Sequence, residues 1–248
     1  PANSALVDVL NVEKSKSIPF AALYGANAPH ERHFNVAGSG GAPAPMNFDN
    51  PGTTDGSGAQ FINLGYLTNT RDNHRQAVMD LLNLNASLGG LNTEMLKSVP
   101  TGLDLNNVYV VGASLGGILG SIFTTVNQLA IEHDDRFGLP TTLNPIRGIV
   151  TNAAGTQVAQ VLVNSTALAP VINNGLAASG VNVGTSNYER FLYAAQSAMD
   201  AGDPVNYLQT LAALQIPVPV LVQQINNDAV IPNGAISAPL TGTSAMAS

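Results

Sequence analysis

The chain has 248 residues, 45% of them hydrophobic and 10% charged, with a net charge of −7 and no cysteine. That length and apolar content suit one globular α/β domain with a sizeable core. The acidic balance argues against a nucleic-acid backbone as partner, and the lack of cysteine excludes disulfides, thiolate metal sites and a thiol nucleophile.

Residues 4–10 read as the end of an amphipathic helix, and 18–24 (IPFAALY) as a strand closed by Gly25. Residues 37–58, rich in Gly, Pro, Asn and Ser, read as a long loop. Helical periodicity runs over 70–88, with Ala77, Val78, Leu81, Leu82, Leu84 and Leu88 on one face. Asn69 or Thr70 would cap that helix, and Leu88-Gly89-Gly90 would end it. A strand is expected over 108–112, a helix over 115–132 and a further strand over 146–152. Helical stretches follow near 158–176 and 188–199, then a turn at Ala201-Gly202-Asp203-Pro204 and a strand over 219–225. Alternation of strands and helices predicts a mostly parallel sheet with helices on both faces. Residues 153–215 form a helical insertion before the last strand, readable as a lid over the sheet end or as ordinary packing helices. No run of 18 uncharged apolar residues marks a spanning helix.

The most informative stretch is Gly112-Ala113-Ser114-Leu115-Gly116, which an apolar strand enters and an apolar helix leaves. This is the G-x-S-x-G nucleophile elbow in its strand–turn–helix context. Such a turn holds Ser114 strained above the sheet edge, and both flanking glycines, Gly112 and Gly116, are expected to be there because a side chain would clash. The backbone N–H of Leu115, at the start of the helix, is expected to face a developing oxyanion.

A serine hydroxyl needs a base, and the base needs a carboxylate to orient it. Asp228, after the 219–225 strand, stands where the acid of such a triad belongs, with Asp200 and Asp203 as alternatives from the preceding loop. No histidine follows Asp228; the four present are His30, His33, His74 and His133. His133 lies 19 residues beyond Ser114, about 28 Å along a straight helix, too far to act as base. His30, His33 and His74 could lie on the active-site side but read better as surface or hydrogen-bonding histidines, and the preferred expectation is a base in a carboxyl-terminal segment beyond Ser248. A second oxyanion donor from an amino-terminal loop is likewise not identified. The chain begins at Pro1 without a Met or a signal segment and reads as a processed or truncated product.

Several stretches resemble the extracellular, virulence-factor-type lipases of Gram-negative bacteria, within the α/β-hydrolase superfamily. They are Glu31-Arg32-His33-Phe34, Phe61-Ile62-Asn63-Leu64, Thr70-Arg71-Asp72-Asn73-His74-Arg75-Gln76, the elbow with Gly117, Asp200-Ala201-Gly202-Asp203-Pro204-Val205-Asn206-Tyr207, Asp228-Ala229-Val230-Ile231-Pro232-Asn233 and Pro239-Leu240-Thr241-Gly242-Thr243. The resemblance implies an α/β-hydrolase fold over 1–248, Ser114 as nucleophile and Asp228 as acid. It implies hydrolysis of esters of acylglycerols or lysophospholipids, without cofactor or metal, by a secreted or outer-membrane-associated protein whose partner is a lipid or ester substrate. Ala113 stands where many lipases have His. Two other readings stand beside it: a soluble-substrate carboxylesterase or other hydrolase on the same fold, and a non-catalytic hydrolase-like domain.

Overall fold

The computed structural model describes residues 35–37, 42–44, 61, 62, 66–96 and 101–247. The chain divides into two compact units, Pro1–Thr70 and Arg71–Ser248. The expected helix over 4–10 and strand over 18–24 lie outside the described residues, as do His30 and His33.

In the first unit, β1 (Asn35–Ala37) and β2 (Ala42–Ala44) pair antiparallel, with Val36 opposite Pro43. A short ladder thus spans the start of the stretch read as loop, with β2 inside it. Pro43 removes one donor, which suits so short a pair better than a long one.

The second unit is an α/β assembly. Helix α1 (Leu67–Met95) leads to β3 (Val108–Ala113), α2 (Leu115–Phe137) and β4 (Ile146–Asn152). Then come α3 (Val158–Asn164), α4 (Ala169–Ala178), α5 (Ser186–Met199), α6 (Leu208–Ala212) and β5 (Val220–Gln223). The three strands form a parallel sheet in the order β3-β4-β5, with Val110 beside Ile149 and Ile149 beside Val220.

Side chains alternate across a strand, so this register sorts the sheet into two faces. Val108, Val110 and Ile149 face a core built from Val78 of α1, Ile122 and Phe123 of α2, and Leu211 of α6. The register puts Val111, Val150 and Leu221 in one row on the opposite face, where Val111 is 78% exposed and Leu221 54%. Helices on both faces, as expected from the alternation, are therefore not found among the described residues: α1, α2 and α6 share one face. The continuous apolar strands cannot reveal this from sequence, because a strand pattern shows how apolar a face is but not which element covers it.

Helix α1 starts at Leu67, two residues before Asn69 and three before Thr70, the expected caps, and runs on through Gly89 and Gly90. A glycine costs only about 1 kcal/mol in a helix interior. The continuation is secured by Asn92, whose side chain accepts from Leu103 N (2.6 Å) and donates to Leu103 O (3.2 Å). The expected apolar stripe is also only partly right: Leu84 is exposed, whereas Asn85 is buried. Asn85 and Asn144 form a reciprocal amide pair, with Asn144 N donating to Asn85 Oδ1 (2.6 Å) and Asn85 Nδ2 to Asn144 O (3.0 Å). Gln128 of α2 accepts from Ile146 N two residues on (2.9 Å). These amides fix where β4 begins. Truncating Asn85 strands buried donors and acceptors, so Asn85→Ala is expected to cost roughly 2–3 kcal/mol in urea unfolding, while Leu84→Ala costs under about 1 kcal/mol. A larger loss at Leu84 would contradict this placement.

Candidate active site

The turn from β3 into α2 holds Ser114 at φ 51°, ψ −122°. Its N–H donates to Asn152 O (2.8 Å), which carries the sheet ladder one step past β3. Its carbonyl accepts from Gly117 N (2.9 Å) and Ile118 N (3.1 Å), closing the first turn of α2. The hydroxyl caps nothing, and the residue is exposed. A Ser before a helix ordinarily spends its oxygen on the N–H two or three residues on; here the geometry leaves it for another use. Leu115 and Gly116 open the helix, and among the described residues their N–H groups meet no acceptor.

The two flanking glycines differ. A Cβ on Gly112 would run into the backbone of Gly116 and lie 2.6 Å from Gly117 N. A Cβ on Gly116 would meet nothing within 4 Å, so the expectation that both are sterically required holds only for Gly112. The second crowded glycine is Gly117, where a Cβ would lie 2.6 Å from Ala154 Cβ and 3.0 Å from Gly112 O. The motif spacing pointed one residue too early, because the helix rotates position 116 away from the strand it has just left.

Among the described residues four non-glycine residues have positive φ: Ser114 after β3, Ala153 and Gln157 after β4, and Asn227 after β5. All four lie beyond the carboxyl ends of the strands. Each such conformation costs of order 1–3 kcal/mol and persists only where surrounding bonds enforce it. Here Ala153 N donates to Gln223 O (2.9 Å) and Gln157 N to Asp203 Oδ1 (2.9 Å).

Asp228 lies in the loop after β5, half-buried. Its Oδ1 accepts from Val230 N (2.8 Å) and Ile231 N (3.1 Å); among the described residues Oδ2 accepts from none. The next carbonyl, Ala229 O, accepts from Ser165 Oγ (2.9 Å), Thr166 Oγ1 (3.2 Å) and Ala167 N (2.8 Å). The parallel sheet thus carries Ser114 and Asp228 at one end, with β4 between their strands. Two strand spacings amount to roughly 10 Å.

The alternative acids behave differently. Asp203 is fully buried and spent: it accepts from Gln157 N, Val158 N (2.6 Å), Val205 N (3.0 Å) and Gln196 Nε2 (3.1 Å). It holds the amino end of α3 to the 3₁₀ turn Pro204–Asn206. Asp200 accepts from Gln196 Nε2 (3.2 Å) with Oδ1 and from Asn206 Nδ2 (2.9 Å) with its carbonyl. Both belong to the architecture of the turn.

The described histidines are equally committed. His74 is buried in α1 with Nδ1 2.8 Å from Gly202 O. Burial holds its pKa below the usual histidine value of 6.5, against the opposing pull of the Gly202 carbonyl and of Asp203. His133 sits beside Asp134 (Nδ1–Oδ1 3.2 Å) and tilts against the Phe137 ring, centroids 4.8 Å apart, near the far end of α2. Among the described residues no group of three or more His, Asp or Glu could hold a metal ion.

No family model matches the chain, and neither a curated protein nor a solved structure matches it.

Gly112→Ala is expected to lower unfolding free energy by about 2 kcal/mol or more, since the added methyl strikes backbone. Gly116→Ala should leave it unchanged or raise it by up to about 1 kcal/mol, as an added helix-former. Equal effects in denaturant titration would place the crowding elsewhere. A second expectation follows from His74. A histidine whose folded pKa lies below its unfolded value adds stability that is full above about 6.5 and lost as pH falls through the folded value. Urea midpoints taken across that range should fall with acidification in the wild type and fall less in His74→Asn. Identical slopes would remove His74 from the acid response.

Proposed function

We propose that the protein is a serine-dependent carboxylic ester hydrolase acting on lipid esters, with Ser114 as nucleophile and Asp228 as the carboxylate that orients the base. The observation that carries this reading is Ser114 itself: exposed, at positive φ between a parallel strand and a helix, with its hydroxyl unspent. A strained serine held by Gly112 and by the Asn152 carbonyl is costly unless the oxygen is used. Asp228 supports it. One carboxylate oxygen is fixed by two backbone N–H groups and the other is left for an imidazole N–H. Roughly two strand spacings between β3 and β5 suit one imidazole bridging the two residues.

In the proposed reaction Ser114 Oγ bonds to the ester carbonyl carbon while its proton passes to a histidine outside the described residues. The tetrahedral oxygen takes hydrogen bonds from the Leu115 N–H and a second donor. The alkoxide leaves with that proton, and water then cleaves the acyl-enzyme by the same steps. Lipid esters are preferred over soluble ones on the stretches that resemble virulence-factor-type lipases, and the α/β-hydrolase superfamily supplies the finer fold assignment. A secreted or outer-membrane location follows from the same resemblance.

Fluorophosphonate labelling of the protein should modify Ser114 and be absent from Ser114→Ala. Hydrolysis of p-nitrophenyl palmitate by the wild type should fall at least a hundredfold in both Ser114→Ala and Asp228→Asn, removal of triad members costing on the order of 10³–10⁴ or more. Residual activity above a tenth of wild type in Ser114→Ala would overturn the assignment. Complete inertness of the wild type toward both probe and esters would favour the non-catalytic reading.

A further inference from the structure

Residues 148–188 contain no Asp, Glu, Lys, Arg or His, the longest such stretch in the chain. It holds the end of β4 and all of α3 and α4, which are bent by 96° at the break between them. Among the described residues no single helix is long and apolar enough to cross a membrane, but α3 and α4 together are as apolar as a span of that length. Helix α3 buries Val158, Ala159 and Val161. Helix α4 buries none of its residues, and Val171 is 75% exposed, as is Val183 (61%) in the turn that follows. A helix with this much water on it ordinarily carries charges on its outer face. This one exposes Pro170, Val171, Asn174, Gly175, Ala177 and Ala178, none of them charged.

Its anchorage fixes where that surface lies. Ser165, buried between the two helices, accepts from Leu168 N (3.1 Å) at the start of α4 and donates to Ala229 O. The hairpin is therefore tied to the residue after Asp228, at the sheet end that carries Ser114. A short bent pair tied down at its elbow lies on a bilayer rather than across it.

We propose that α4 and the turn after it form a docking surface for a zwitterionic lipid layer, presenting that layer to the sheet end where Ser114 stands. The occupant follows from charge. Anionic lipid attracts juxtamembrane basic clusters, and this surface has no basic residue while the chain as a whole carries −7. A zwitterionic layer imposes no such repulsion, and an uncharged apolar helix enters its interface without desolvating an ion. The proposal rests on the lipid-ester reading for its use, but binding can be measured without turnover.

The chain has no tryptophan, so V171W places a sole indole reporter on α4. F137W, at the exposed end of α2, is the control. With phosphatidylcholine vesicles, emission from V171W is expected to shift to the blue and that from F137W to stay. Raising the salt should leave binding unchanged, and admixed phosphatidylglycerol should weaken it. V171D should lower the vesicle-bound fraction about tenfold or more, while Ser114→Ala leaves it intact. Absence of a shift in V171W, or equal shifts in both reporters, would overturn the proposal. So would a shift without vesicles that grows with protein concentration, which would assign the face to a second copy of the chain. Vesicle binding by a protein inert toward esters would sink the nucleophile assignment and keep the docking surface. Hydrolysis without vesicle binding would do the reverse.

Discussion

The backbone of β3 and the first turn of α2 come so close at Gly112 that there is no room for even one methyl group between them. The rest of the sheet end depends on that contact. It forces the chain to reverse within a single residue, and Ser114 takes the conformation that reversal requires. It also seats α2 against β3 and β4, with Val110 and Ile149 nearest to Gly120. The core formed by Ile122, Phe123 and Ile149 therefore begins directly beneath the turn. Burying such side chains contributes about 1.5–3 kcal/mol each, enough to offset the strain of one residue at positive φ.

Strain at this end of the molecule is matched by hydrogen bonds that come from other elements. Ser114 is held by the carbonyl of Asn152, Ala153 by that of Gln223 and Gln157 by the Asp203 carboxylate. Asp203 gathers the first N–H groups of α3, a turn N–H and the Gln196 amide around one buried charge. A carboxylate with that many donors is stable in the interior because its lone pairs are filled. The same saturation removes it from chemistry. Asp228 carries the same functional group with half of it left over, and that difference separates an architectural acid from a candidate catalytic one.

Much of this was legible before any coordinates. The strand over 146–152 and the helix after Ser114 follow from apolar periodicity and turn residues, whereas the break that splits the expected helical stretch 158–176 into α3 and α4 does not, since Ser165 there bonds to Leu168 N and to the distant Ala229 O. The elbow was legible because steric demand leaves a fixed trace, small residues at set offsets. What escaped was what depends on partners distant in the chain. The Asn85–Asn144 pair turned a predicted apolar face partly polar, since an amide can be buried only if another amide meets it. Asn92 carried α1 past two glycines by bonding to residues beyond the helix. Gly117 rather than Gly116 proved crowded, because crowding there depends on Ala154, 37 positions on. Asp203 was indistinguishable from Asp228 by composition, and the donors around each carboxylate tell them apart, four on Asp203 and two on Asp228.

The Ala229 carbonyl receives three donors from the elbow of α3 and α4, although an oxygen has two lone pairs. At least one of the three is shared or strained, so the joint between hairpin and loop is stiff. Stiffness transmits displacement. A sideways push on α4 is felt one residue from the Asp228 carboxylate, and any shift of that loop must drag the hairpin with it. Displacement of α4 and orientation of the carboxylate are thus a single mechanical degree of freedom.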